Sequence, residues 1–219
     1  MQISDNLHLF FGNVSPIESN SYLILGEKTI LIDTGMRAPV LLENIKNAAV
    51  KAEEIDLIVN THCHFDHIRS NKYLKKAFPN AKLAAHAEDE PYISTANPEY
   101  TASRFIAGNL EAAKVDISLK EGDKLGEYEI VHTPGHTQGS ICLLNRGAGI
   151  LITGDTIFAK GFTGRTDLPG GSVEQMKASL KKLEKFRLEK ILPGHEQPVL
   201  KDANQNIEKA LGVLEGAYL

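Results

Sequence analysis

Several of the short apolar runs in this chain have no polar face. Leu57-Ile58-Val59-Asn60, Ile141 to Leu144, Ile150-Leu151-Ile152 and Lys190-Ile191-Leu192 read as strands, alongside β-rich runs at Leu7 to Phe11, Ser21 to Leu25, Thr29 to Ile32, Lys82 to Ala85 and Glu129-Ile130-Val131. A strand that is apolar on both faces must be covered on both, so a sheet with one side in water is excluded. Helical stretches at Pro39 to Val50, Asn71 to Phe78, Pro98 to Ala113, Ser172 to Arg187 and Asp202 to Leu214 supply the cover. The alternation predicts a layered α/β domain. Gly26-Glu27-Lys28 reads as a hairpin turn, so the chain opens as antiparallel sheet. In the stretch from Ser172, the residues Val173, Met176, Leu180 and Leu183 share one helical face, and Ser172 with Gln175 has capping-box spacing just after Gly170-Gly171.

A chain of 219 residues, 42% of them apolar, is long enough to bury a substantial core, and a single domain over residues 1–219 is the simplest expectation. With 24 basic against 28 acidic side chains, nothing favours a polyanionic partner, so nucleic acid is not expected. No run approaches the roughly 18 apolar residues of a membrane span, and the N-terminus lacks the pattern of a secretory signal. The expectation is a cytoplasmic protein without a membrane partner, monomeric or homodimeric. Cys63 and Cys142, the only cysteines, are expected to be free thiols.

Chemistry concentrates in Thr61-His62-Cys63-His64-Phe65-Asp66-His67, directly after the apolar strand that ends at Asn60. Three imidazoles and a carboxylate within six residues have the density of metal ligands. If the backbone stays extended, His62 and His64 point one way and Cys63 the other, so Cys63 is assigned to packing. A turn must then bring Asp66 and His67 towards a second position. Three more candidates follow strands and glycines: His136 in Thr133-Pro134-Gly135-His136-Thr137, Asp155 in Thr153-Gly154-Asp155-Thr156, and His195 in Pro193-Gly194-His195-Glu196. Glycine there lets the backbone turn tightly and brings the side chain to the rim of the sheet. Five of the eight histidines thus occupy ligand-like positions, whereas His8 and His86 look incidental and His132 reads as a core-lining or solvated residue near His136. The longest irregular stretch, Ala159 to Gly171, is glycine-rich and carries Arg165.

In this order and context, His62-x-His64-x-Asp66-His67, His136, Asp155 and His195 resemble the ligand series of the metallo-β-lactamase superfamily, and Asp33-Thr34-Gly35 resembles a further superfamily signature whose aspartate supports the site. His132-Thr133-Pro134-Gly135-His136-Thr137-Gln138-Gly139-Ser140 and Gly164-Arg165-Thr166-Asp167-Leu168-Pro169-Gly170-Gly171 are most similar to the short glyoxalase II-like (hydroxyacylglutathione hydrolase-like) members. The resemblance implies a four-layer αββα sandwich of two mixed sheets. It also implies two divalent ions, zinc first and iron or manganese as alternatives: one on His62, His64 and His136, the other on Asp66, His67 and His195, with Asp155 bridging. A metal-bridging hydroxide would then cleave a small-molecule thioester or ester, with Asp66 also relaying a proton. Arg165 is the nearest candidate for a basic residue that contacts the substrate, its alternative role being a pair with Asp167.

The sequence departs from many relatives in placing Ile68-Arg69-Ser70 where they carry a Gly-Gly pair. The 24 residues after His195 suffice for one helix, so a separate helical domain for holding glutathione is not expected. A mono-iron persulfide dioxygenase of the same fold and a lactonase or other ester hydrolase are the competing expectations. Leu168-Pro169-Gly170-Gly171 favours the hydrolase branch.

Overall fold

The computed structural model describes residues 1–12, 17–105 and 109–216, which form two compact units, 1–118 and 119–219. The first contains β1 (Gln2–Ser4), β2 (Leu7–Phe10), β3 (Ser21–Ile24), β4 (Thr29–Ile32), α1 (Ala38–Asn47), β5 (Ile55–Val59), α2 (Phe65–Ile68), α3 (Asn71–Ala77), β6 (Lys82–His86), α4 (Glu90–Thr95) and β7 (Ile117–Leu119). Its strands lie in sequence order in a mixed seven-stranded sheet. The predicted β3–β4 hairpin is present and antiparallel, whereas β4, β5 and β6 are parallel. Leu41 and Ile45 of α1, with Leu74 and Phe78 around α3, pack with Leu31, Ile58 and Leu83 on one side of the sheet. Leu57 and Val59, which point to the other side, are buried as well. This is the two-sided burial that the apolar runs require.

The parallel register places the site. Ile32 lies beside Val59, and the ladder continues for one more bond, Asp33 N–H to the Val59 carbonyl at 2.9 Å. The segments carrying Asp33 and the histidine cluster therefore leave the sheet at the same edge, the carboxyl ends of parallel strands, where open α/β sheets place their ligands.

The second unit contains β8 (Lys124–Leu125), β9 (Tyr128–His132), β10 (Ile141–Asn145), β11 (Ile150–Gly154), α5 (Val173–Leu183), β12 (Lys190–Pro193) and α6 (Ala203–Leu214). Its mixed five-stranded sheet has the order β12-β11-β10-β9-β8. β11 and β12 are parallel, and β10 runs against both β9 and β11, so β9, β11 and β12 point the same way. His136, Asp155 and His195 follow these three strands and emerge at one edge. Met176, Leu180 and Leu183 of α5, with Ile207 and Ala210 of α6, bury against Val131, Cys142, Leu144 and Leu151. Complete burial of each large apolar side chain contributes about 1.5–3 kcal/mol.

Two expectations are corrected. The helix expected over Pro98 to Ala113 is absent from its described residues, which hold only a 3₁₀ turn at Ser103–Phe105; residues 106–108 lie outside the described set. The helix in this region is α4, with Pro91 in its first turn. Beyond it the Asn97 carboxamide accepts from the Glu99 and Tyr100 N–H groups, a local bond that competes with helix, and Ala102 takes a left-handed conformation at φ 55°. The capping box of α5 is half formed. Ser172 Oγ accepts from the Gln175 N–H at 3.3 Å, but the Gln175 side chain pairs with Gln138, and the Ser172 N–H goes to the Gly135 carbonyl. The helix start is thereby tied to the loop that carries His136. Ser172→Ala should destabilise the protein by about 1 kcal/mol, read as a lower urea midpoint at unchanged slope.

Candidate metal centre

The chain leaves β5 at Val59 and reaches α2 through Asn60-Thr61-His62-Cys63-His64, and outside groups hold this segment. Asp33 Oδ1 accepts the Thr61 N–H at 2.8 Å, Asp89 Oδ2 the Cys63 N–H at 2.8 Å, and the Thr101 carbonyl the Phe65 N–H at 2.8 Å. Beyond it, the Thr34 N–H donates to the His67 carbonyl and Ser19 Oγ to the Asp66 carbonyl. Asn60 and Asn71 exchange carboxamide bonds at 2.7 and 3.2 Å beneath the loop. Every turn of the ligand segment is thus fixed by a donor or acceptor from elsewhere in the unit.

The same bonds choose the imidazole tautomers. An ionised carboxylate only accepts, so the 2.7 Å contact between Asp33 Oδ2 and His67 Nδ1 puts the hydrogen on Nδ1 and leaves Nε2 as the donor to a metal. Thr61 Oγ gives its one proton to the same Asp33 oxygen at 2.7 Å. It can therefore only accept from His62 Nδ1, 3.1 Å away, and His62 likewise keeps Nε2 for coordination. One buried carboxylate orients two candidate ligands, His67 directly and His62 through a hydroxyl. The His62 and His64 rings meet edge to face at 5.0 Å, and Asp66 Oδ2 lies 3.6 Å from His67 Nε2. The short helix α2 supplies the turn that carries Asp66 and His67 round.

Cys63 points into the core, 1% exposed, and its thiol donates to the Tyr100 carbonyl, as strand alternation predicts. Burial, reinforced by the Asp89 carboxylate, pushes this thiol well above its usual range, and burial raises that of Cys142 to about 11.

In the second unit, Asp155 Oδ2 lies 3.5 Å from His136 Nε2 and 3.5 Å from His195 Nε2, one carboxylate oxygen serving two imidazoles. His136 Nδ1 donates to the Arg165 carbonyl at 2.7 Å, so it too presents Nε2. His195 rests edge-on against the Phe158 ring. The loop around this half is tightly seated. Gly135, at φ 142°, approaches the backbone of Met176 so closely that a Cβ would overlap it. The Arg165 side chain is exposed and forms a bidentate pair with Asp167 at 2.9 and 2.7 Å, the alternative that the sequence raised for it.

Three contributors escape sequence reading. Asp89 stands before Glu90-Pro91 as a helix cap would, yet its carboxylate bonds Cys63 instead of capping α4. The Asn60–Asn71 pair carries no signal at all. Thr61 was visible beside the cluster, but its relay becomes apparent only once Asp33 is seen to face it. His132 Nε2 donates to the Gln138 carbonyl at the end of β9, and His86 is buried with its Nδ1 accepting from the Glu88 N–H.

The donor set, imidazole nitrogen and carboxylate oxygen with fixed tautomers, suits divalent ions of the zinc, iron and manganese group. Comparison with known proteins agrees. The family described as the metallo-beta-lactamase superfamily matches residues 14–195. A probable metallo-hydrolase of Methanocaldococcus jannaschii is 41% identical over 81% of this chain and 87% of its own length. The hydroxyacylglutathione hydrolase GloC of Haemophilus influenzae is 31% identical over 77% of this chain and 80% of its own. The crystal structure of TTHA1623 in a di-iron-bound form superposes with a TM-score of 0.76, at 27% identity over 91% of this chain and 94% of that one.

Thr61→Val, which keeps shape and removes the hydroxyl, should weaken metal affinity about 10- to 100-fold in a chelator competition, with Thr61→Ser restoring it. A second check concerns the thiols. At pH 8 a thiol of pKa about 11 is ionised on the order of one part in a thousand, and both cysteines are buried. Neither should react with a thiol reagent until denaturant is added, after which two equivalents should.

Proposed function

The chain belongs to the metallo-β-lactamase superfamily and is a metallo-hydrolase, and we propose that it hydrolyses thioesters of the hydroxyacylglutathione type. The observation that carries the hydrolytic centre is the common tautomer of His62, His67 and His136, each held by a bond to Nδ1 that leaves Nε2 for a metal. We assign His62, His64 and His136 to one ion, Asp66, His67 and His195 to a second, and Asp155 to both. The paired 3.5 Å approaches of His136 and His195 to a single Asp155 oxygen support its shared role. When bound, two such ions would supply hydroxide near neutral pH and polarise a carbonyl. Similarity to GloC supports a thioester, and the di-iron-bound form of the related TTHA1623 supports a two-ion centre without fixing which metal this chain takes.

The protein's own residues do the rest. Asp66 is partly exposed, its side chain 17% accessible, so its carboxylate can pass a proton between the site and bulk water while its backbone stays fixed by Ser19. Arg165 projects its guanidinium from the loop whose carbonyl holds His136, a position from which it can meet a substrate carboxylate. Among the described residues no helix is long and apolar enough to cross a membrane.

Protein purified without added metal should carry about two equivalents by elemental analysis, and should release free thiol from a hydroxyacylglutathione. Asp155→Ala should lower hydrolysis at least 100-fold and reduce metal content. A single iron, with oxygen consumed on a glutathione persulfide and no thioester turnover, would decide for an oxygenase instead.

A further inference from the structure

The Arg165–Asp167 pair is built where an exposed ion pair has little to contribute. Both side chains stand in solvent, 68% and 67% accessible, and pairs of this kind add little to stability. The loop beneath does not need it. Gly164 donates its N–H to the Asp155 carbonyl and lies so close to that carbonyl and to the His136 ring that a Cβ would overlap both. The Arg165 carbonyl is fixed on His136, and Gly171 closes the far end by donating to the Leu168 carbonyl. What the pair does hold is the guanidinium. Bidentate geometry on Asp167 orients its fork and cancels its charge, on the same residue whose carbonyl accepts from His136. The hydrogen bonds from the Arg165 guanidinium, helped by its charge, hold the Asp167 carboxyl down to about 2, so it is ionised at every working pH.

We propose that Asp167 is a specificity-determining residue that occupies the substrate-carboxylate position on Arg165, to be displaced when an anionic thioester binds. Exchange of one carboxylate for another on the same fork conserves the number of charge-assisted hydrogen bonds, so the exchange is nearly balanced in energy, and the exposed Asp167 carboxylate returns to water. A neutral thioester offers nothing to exchange and leaves the pair closed. The resident carboxylate thus lowers affinity for anionic substrates in return for a pre-oriented guanidinium, and it sets a threshold below which weakly anionic ligands are not held. This inference rests on the proposed substrate role of Arg165.

The test is calorimetric binding of S-methylglutathione, which is not a thioester and needs no turnover, to the metal-loaded protein and to its Asp167→Asn and Arg165→Gln variants. Asp167→Asn should bind about fivefold more tightly at low salt, the upper range for an exposed pair, with the gain shrinking in 0.5 M salt. Arg165→Gln should bind more weakly. With thioesters, Asp167→Asn should lower KM for a hydroxyacylglutathione at unchanged kcat and leave KM for a neutral N-acetylcysteamine thioester unmoved. If Arg165→Gln binds as the parent does, the Arg165 reading fails and takes this inference with it. If Arg165→Gln weakens binding but Asp167→Asn does not strengthen it, this inference alone fails. A fall in kcat on both substrates in Asp167→Asn would also overturn it, by showing that Asp167 holds the loop.

Discussion

The Asp33 carboxylate is the interaction on which the site depends. It is 2% exposed, and a charge so placed is tolerated only when its oxygens are filled with donors. The Thr61 amide, the Thr61 hydroxyl and the His67 imidazole fill them, and each is part of the ligand segment. Asp33 itself is delivered by the fold: its N–H extends the β4–β5 ladder, and its left-handed conformation, φ 53°, turns the chain out of the sheet at once. The strain of that conformation, on the order of 1 kcal/mol, is offset by three charge-assisted or short hydrogen bonds. Sheet register, loop path and imidazole chemistry are therefore one construction, and a change to any of them is felt in the other two.

Much of this was legible because the physics is local. Runs apolar on both faces announced buried strands, and all nine predicted runs are strands, within a residue or two at their ends. The ligand candidates stood out because histidine and aspartate after a buried strand and a glycine have few structural uses. The three strands that went unread, β1, β7 and β8, are two or three residues long, too short for a period to register. The helix misplaced at Pro98 to Ala113 failed for a related reason. Its propensity is adequate, but Asn97 offers the backbone a competing local bond and Ala102 reverses the chain. Side-chain destinations were the least legible layer. Gln175 has the spacing of a capping box and spends its amide on Gln138, and Asp89 has the position of a cap and spends its carboxylate on Cys63. In both cases a tertiary partner outcompetes the local one, and nothing in a linear string records which partner will be near.

The second unit uses main chain where the first uses side chains. His67 and His62 are oriented by a carboxylate and a hydroxyl, whereas His136 is oriented by the carbonyl of Arg165. A main-chain acceptor constrains only the path of the loop, provided that glycine stands at the crowded neighbour, Gly164. The side chain at residue 165 is then free of duty towards the metal ligand beneath it. Arg165 holds the His136 imidazole through its backbone and, in the proposed role, would address the substrate through its guanidinium, so the second role could change without cost to the first.

That separation bears on how substrate range can diverge in proteins built this way. The groups that orient His62, His67 and His136 are buried or main-chain and mutually bonded, so a single replacement leaves an unsatisfied donor or acceptor behind and costs about 1–3 kcal/mol, more for a charged group. The proposed recognition falls on a loop whose exposed Arg165 and Asp167 side chains bond each other, and replacements there are cheap. On the proposed thioester reading, the carbonyl would ask the same of the metal centre whatever thiol it is joined to, so the carrier would be discriminated outside it, by the charge and shape of that loop. In the proposed reading, the balance of the Arg165–Asp167 pair would decide whether the loop presents a cation or a neutral surface to what arrives.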